Sequence, residues 1–278
     1  MKKLLAVVAI VALAFVSCKK DGDDNGGSGS TGGTGGTLTV EKKNRGILLD
    51  FSETWCPPCG AYGGPSFDSC MTQEGSVITL MKVYGSSTPA SLNASISNGF
   101  ASAYSVSGVP DFYLNNTELN SGGGVYSNIG SNYNWVMTKA NAFAADSVNA
   151  GVALKKEVVG DSMRITTKVK FFKAQAAGQD YKIATYIVED DIIAAQQVTG
   201  QGSVANYKHR NLVRACNSST YAGLPLNSSA AITADQEFNN TYTLYLNPAW
   251  NKAKLKVIAV IWKGGVTPNK VINSNVAK

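Results

Sequence analysis

Ile47-Leu48-Leu49-Asp50-Phe51-Ser52-Glu53-Thr54-Trp55-Cys56-Pro57-Pro58-Cys59-Gly60 is the stretch whose reading decides the fold. Arg45–Phe51 is apolar enough to read as a buried strand. From Cys56 to about Met71 the pattern predicts a helix, made irregular by Gly60, Gly63, Gly64 and Pro65. Two cysteines two residues apart at such a strand-to-helix junction make a reversible dithiol/disulfide couple. Free amides and the dipole at a helix start stabilise a thiolate, so the Cys56 thiol is expected below the free value of about 8.5. Pro57 and Pro58 carry no amide hydrogen, which leaves Cys59 as the main local donor toward the Cys56 sulfur, and Pro57 suits the first helical position. Cys59, one turn inside, is expected to be less exposed and less acidic. The rival uses of the spacing are a structural disulfide and half of a zinc site. Zinc takes four ligands, and the chain has one histidine, His209, and no second close cysteine pair, so no metal is expected.

Outward from that stretch, strand and helix signals alternate. Val77–Val83 is an apolar run of the kind central parallel strands show. Ala90–Tyr104 places Leu92, Ile96, Phe100 and Ala103 at helical spacing. Val109-Pro110 leads into a short strand, Asp111–Leu114, closed by the turn Asn115-Asn116. Tyr133–Ala145 carries Trp135, Val136, Ala140 and Phe143 on one helical face. The expectation is an α/β domain over residues 38–146. From Val148 onward the period becomes two: Met163, Ile165, Thr167, Val169 and Phe171 alternate with polar neighbours, as do Tyr181, Ile183, Thr185 and Ile187. Tyr242, Leu244 and Leu246, the run Leu255–Trp262 and Val271 continue it. Such strands with turns between them predict an all-β, immunoglobulin-like antiparallel sandwich over 147–278. Each half is long enough to hold its own core.

The N-terminus reads as an export signal. Lys2 and Lys3 precede the 13-residue apolar run Leu4–Val16, too short to span a bilayer. Ser17-Cys18 resembles a bacterial lipobox, which makes residues 1–17 a lipoprotein signal peptide and Cys18 the lipidated N-terminus. Residues 18–37 are then a flexible Gly/Ser/Thr linker with a reach of about 25 Å. The formal charge of +6 over 278 residues is mild and scattered, which argues against nucleic-acid binding. Of the five cysteines, Cys70 and Cys216 remain, either bridged to each other in an exported protein or separate buried thiols. Lone His209 reads as a structural hydrogen-bonding group, and Glu189-Asp190-Asp191 as a solvated strand end.

Ile47–Gly60 resembles the active-site segment of the thioredoxin superfamily, and Gly108-Val109-Pro110-Asp111-Phe112 resembles its cis-proline loop. The resemblance covers residues 38–146 and implies a thioredoxin-like domain. By it, Cys56 is the attacking nucleophile, Cys59 the resolving thiol, and Asp50 the buried carboxyl that takes the Cys59 proton, with Glu53 a competing candidate. Trp55 shields the thiolate. Pro110 presses on the pair, and Val109, Pro57 and Pro58 border the path of an extended substrate segment. Asp111 departs from the Thr common after that proline and sets an acid near the sulfur. The whole layout, with Glu189–Ile192 and Tyr207–Arg214, resembles the 28-kDa outer-membrane-protein family of Bacteroidetes. The resemblances imply an outer-membrane lipoprotein, facing the periplasm or the cell surface. It would exchange disulfides with exported proteins and need no cofactor. The alternative is a surface binding or adhesion lipoprotein in which Cys56–Cys59 is a static bridge.

Overall fold

The computed structural model describes residues 37–278 except 87, 90, 122 and 123. The expected signal peptide, Cys18 and nearly all of the linker lie outside the described residues. The architecture is mostly β-sheet with few helices. The strands are β1 (Gly46–Ser52), β2 (Ile78–Tyr84), β3 (Asp111–Leu114), β4 (Thr117–Glu118), β5 (Ala150–Val159), β6 (Ser162–Phe171) and β7 (Tyr181–Glu189). They continue as β8 (Ile192–Val198), β9 (Gly202–His209), β10 (Leu212–Cys216), β11 (Leu224–Pro225), β12 (Glu237–Tyr245), β13 (Leu255–Lys263) and β14 (Lys270–Ala277). The helices are α1 (Gly64–Cys70), α2 (Ser97–Ala103) and α3 (Ile129–Ala145).

One sheet runs through both halves of the chain, in the order β14-β13-β7-β10-β2-β1-β3-β4, with β11 on β7. β1 and β2 are parallel, and β3 runs antiparallel to β1. A separate sandwich beginning at residue 147 is therefore not what forms. β10 joins β2 in parallel through Leu212 and Lys82, with the Lys82 amide donating to the Asn211 carbonyl at 2.9 Å. The second half does build a sandwich, but this shared sheet is one of its layers. The other is the three-stranded sheet β12-β6-β5.

The period-two strands explain how one sheet serves two layers, since alternate residues point to opposite faces. On one face Ile47, Leu49 and Phe51 of β1 share a core with Tyr186 of β7 and Ile258, Val260 and Trp262 of β13, covered by Phe100 of α2. That core crosses the expected domain boundary, so beside the cluster each half holds by itself there is one the two halves share. On the opposite face, Leu48, Leu80 and Phe112 pack under Phe67 of α1 and Val136 of α3. Farther along it, Ile183, Ile187, Val257 and Ile261 pack against Val152, Met163 and Ile165 of the small sheet.

The helices are shorter or longer than expected. α2 covers only Ser97–Ala103, because Pro89 and Asn93 hold the preceding residues in turns: Leu92 N donates to Pro89 O, and Asn93 Nδ2 to Gly85 O at 2.8 Å. α3 starts earlier, at Ile129, where the Asn128 side chain caps the Ser131 amide at 2.9 Å. The cysteine helix is helical from Pro57 but winds as a wide π-type turn over Cys59–Gly63 before α1 begins. Such turns are frequent at functional sites.

Candidate functional site

Cys56 and Cys59 form a disulfide just beyond the end of β1, and each is 2% exposed. The Cys59 amide lies 3.2 Å from Cys56 Sγ, the contact expected once two prolines have removed the intervening donors. Cys56 Sγ lies 3.5 Å from the Val109 carbonyl oxygen. The Val109–Pro110 peptide is cis, and Pro110 is buried against the cysteine helix so closely that a Cβ on Gly63 would sit 2.8 Å from its Cβ. Gly63 is there to admit the proline, not merely to roughen the helix.

Asp50 and Lys82 face each other across β1 and β2 as a fully enclosed ion pair, with Lys82 Nζ 2.8 Å from Asp50 Oδ2. Burial raises the Asp50 pKa above the ordinary carboxylate range, and the Lys82 charge opposes that rise. Sequence reasoning passed over Lys82. The signal was available: a lysine between Met81 and Val83, in a strand otherwise apolar, has to find a counter-charge. Close by, the buried Tyr84 hydroxyl and His209 Nδ1 share a hydrogen bond. Burial, and then the Lys82 charge, push the His209 pKa down to about 4, so the ring is neutral. His209 is structural in this contact, as expected.

The β8–β9 hairpin, unread in the sequence, lies directly over the cysteine loop. Gln197 N donates to Thr54 O at 2.8 Å and Thr199 N to Pro57 O at 3.1 Å. The Gln196 side-chain amide reaches Glu53 O at 3.1 Å and Cys56 O at 3.0 Å. The Tyr207 hydroxyl donates to Gly60 O at 3.2 Å, and burial pushes its pKa up to about 12. A Cβ on Gly60 would meet Gln197 O at 2.4 Å, so only glycine lets the hairpin approach. β8 escaped notice because Ile192-Ile193-Ala194-Ala195-Gln196-Gln197-Val198 has no alternation to read.

Trp55 stands out from this loop, 55% exposed, on the wall of an open groove of about 470 Å³. Phe51, Val83, Glu53 and Ser107–Val109 also line it. Glu53 is buried and accepts from the Thr88 hydroxyl. Asp111 is 4% exposed; burial, and then Glu118, push its pKa to about 7. At pH 7 it is therefore about half protonated, which lessens the charge that would oppose a thiolate.

Cys70 and Cys216 are free, so the bridge held open between them is not formed. They belong to different cores: Cys70 packs under Leu48 and Phe67, and Cys216 against the core shared by the two halves. Burial pushes the thiols up to about 11 and about 12. Glu189 and Asp190 are not a solvated strand end. Both are buried, Glu189 with Arg214 at 2.7 Å and Asp190 with Arg210 at 2.6 Å and Lys256 at 3.1 Å. The acidic run and Arg210/Arg214 singled out in the sequence are thus partners. Among the described residues, no three His, Cys, Asp or Glu side chains gather in a metal-binding group.

Residues 97–278 match the family model described as outer membrane protein Omp28. The match begins after the cysteine pair. No curated protein sequence matches the chain. Among solved structures, HBP35 of Porphyromonas gingivalis superposes with a TM-score of 0.63 at 18% identity, covering 86% of this chain and 76% of its own. A domain of the outer membrane lipoprotein Omp28 from Porphyromonas gingivalis gives a TM-score of 0.29 at 11% identity, over 47% of this chain and 88% of its own. The first likeness establishes a shared fold.

Proposed function

Since this chain belongs to the Omp28 outer-membrane protein family, in agreement with the lipoprotein location that Ser17-Cys18 leads one to expect, we propose that it is a thiol–disulfide oxidoreductase working at that membrane. Lipid on Cys18 would tether it, and its partners would be exported proteins carrying disulfides or thiols. In this reading the first half is a thioredoxin-like unit. The order β2-β1-β3-β4, with β1 and β2 parallel and β3 and β4 each antiparallel to its neighbour, supports that view.

The observation that carries the reading is the surround of Cys56: the Cys59 amide at 3.2 Å and the Val109 carbonyl at 3.5 Å, with the Asp50–Lys82 pair behind. In the reduced form the amide would stabilise a Cys56 thiolate. That thiolate attacks one sulfur of a partner disulfide, expelling the other as a thiolate and forming a mixed disulfide. Asp50, its pKa raised, takes the Cys59 proton, and the Cys59 thiolate attacks Cys56 Sγ. The partner leaves with two electrons gained, and Cys56–Cys59 is oxidised. The reverse sequence oxidises a partner dithiol. Trp55, Pro57, Pro58 and Val109 would border the partner segment, with Pro110 fixing the opposite wall.

Cys56→Ser is expected to abolish reduction of insulin disulfides by the dithiothreitol-recycled protein, while Cys59→Ser accumulates mixed disulfides. Wild-type activity in Cys56→Ser sinks the proposal. The enclosure of both sulfurs favours one other reading, a static bridge in a surface binding or adhesion lipoprotein. A potential below roughly −300 mV in glutathione buffers selects that alternative.

A further inference from the structure

Gln196 lies 140 residues after Cys56 and is 2% exposed. Its Nε2 group converges on three carbonyls: Glu53 at 3.1 Å, Cys56 at 3.0 Å and Gln197 at 3.0 Å. Glu53 O and the Cys56 amide also close the turn beneath Trp55 at 3.3 Å, so Gln196 braces both ends of that turn. On either side, the Gln197 and Thr199 amides hold the Thr54 and Pro57 carbonyls. Four carbonyls of the redox loop are therefore fixed by a hairpin from the far half of the chain. The loop's own backbone restraints are the Cys56 amide on Glu53 O and the Cys59 amide on Cys56 O at 3.1 Å, because Pro57 and Pro58 contribute no donors; Cys56 O is also one of the carbonyls that Gln196 holds. Yet the Cys59 amide must point at Cys56 Sγ to stabilise a thiolate, and its aim is set by the path of residues 53–59.

The geometry points to Gln196 as a positioning residue for the redox pair: by bracing the Glu53–Cys56 turn it aims the Cys59 amide at the Cys56 sulfur. The assignment rests on the thiol–disulfide reading and extends it. The far half of the chain is part of the site's machinery rather than a neighbour that selects partners.

The test uses the full-length protein, chemically reduced, and needs no exchange activity. The rate of iodoacetamide alkylation at Cys56, followed on its own peptide by mass spectrometry across pH, gives the thiol pKa. Gln196→Met keeps the length and removes the donor. It is expected to raise the Cys56 pKa by about 0.5 to 1, a three- to tenfold loss of thiolate at a pH below both values. Gln196→Glu, which keeps the shape and sets a carboxylate against the same carbonyls, is expected to raise it at least as far. Val198→Ala loosens hairpin packing on Gly60 without touching those carbonyls, so it is expected to lower the melting temperature and leave the pKa unchanged. A wild-type pKa in both Gln196 variants, or an equal shift in Val198→Ala, overturns the assignment. Failure of the parent proposal looks different: a wild-type couple that does not exchange with glutathione, whatever the variants do to the thiol.

Discussion

The Asp50–Lys82 pair makes the sharpest quantitative prediction. At 2.8 Å, in an effective dielectric of about 20, the two charges attract by roughly 6 kcal/mol. Enclosing them costs several kcal/mol per ion, so the intact pair is close to neutral against a well-packed apolar replacement. Removing one partner strands the other. Lys82→Met and Asp50→Leu are each expected to lose about 3 to 5 kcal/mol at pH 7.5, while the double variant stays within about 2 kcal/mol of wild type. Single losses of that size are a large share of a stability typically about 5 to 15 kcal/mol. The Lys82→Met loss also depends on pH. Burial holds the Asp50 pKa above its ordinary 3.8 in the fold, so stability falls as pH rises from 3.8 through the folded value. Without Lys82 that pKa climbs further and the fall deepens. Lys82 also depresses the His209 pKa, so its removal relieves the fold in acid and acts with the same sign. Lys82→Met is thus expected to lose more at pH 7.5 than at pH 4.5. Urea unfolding of the four proteins at both pH values, followed by circular dichroism, measures the cycle. Additive single losses, or a Lys82→Met loss that ignores pH, would refute the argument that an enclosed ion pair sits behind the cysteines.

Two further outcomes are expected. His209 has a folded pKa of about 4 against 6.5 unfolded, so the unfolded chain binds more protons between those values. Its contribution, about 3 kcal/mol at most, is present above pH 6.5 and is lost as pH falls toward 4; His209→Gln flattens that stretch of the pH–stability curve, measured by thermal melts. Residues 38–146 expressed alone leave Leu49, Phe51, Met81 and Val83 without the Tyr186, Val188, Ile258 and Trp262 side that completes their core. That fragment is expected to bind a hydrophobic dye and to show no cooperative melt, and a sharp transition from it would show that the first half carries a sufficient core.

Taken alone, the sequence determined whatever depends on neighbours along the chain. The β1 run, the cysteine turn with its proline-cleared donor, the short strand after Val109-Pro110 and the alternating strands of the second half follow from local period and turn chemistry. Asp50 is marked as a buried carboxyl by the thioredoxin resemblance and not by the strand pattern, which leaves an exposed strand-end carboxylate equally open. Lys82 interrupts an apolar strand in the same way, and no resemblance points to it. What only the tertiary structure decided was pairing between distant segments. β10 meets β2 through backbone hydrogen bonding, which leaves no side-chain pattern to read, so one sheet draws strands from both expected domains. Glu189 and Asp190 looked solvated until folding brought Arg210, Arg214 and Lys256 to them. Gly60 looked like a flaw in a helix until the β8–β9 hairpin occupied the space a Cβ would need. A hydrogen bond from Gln196 to Cys56 spans 140 residues, and no local pattern records it because its donor is aimed by the fold and not by the neighbours of either residue.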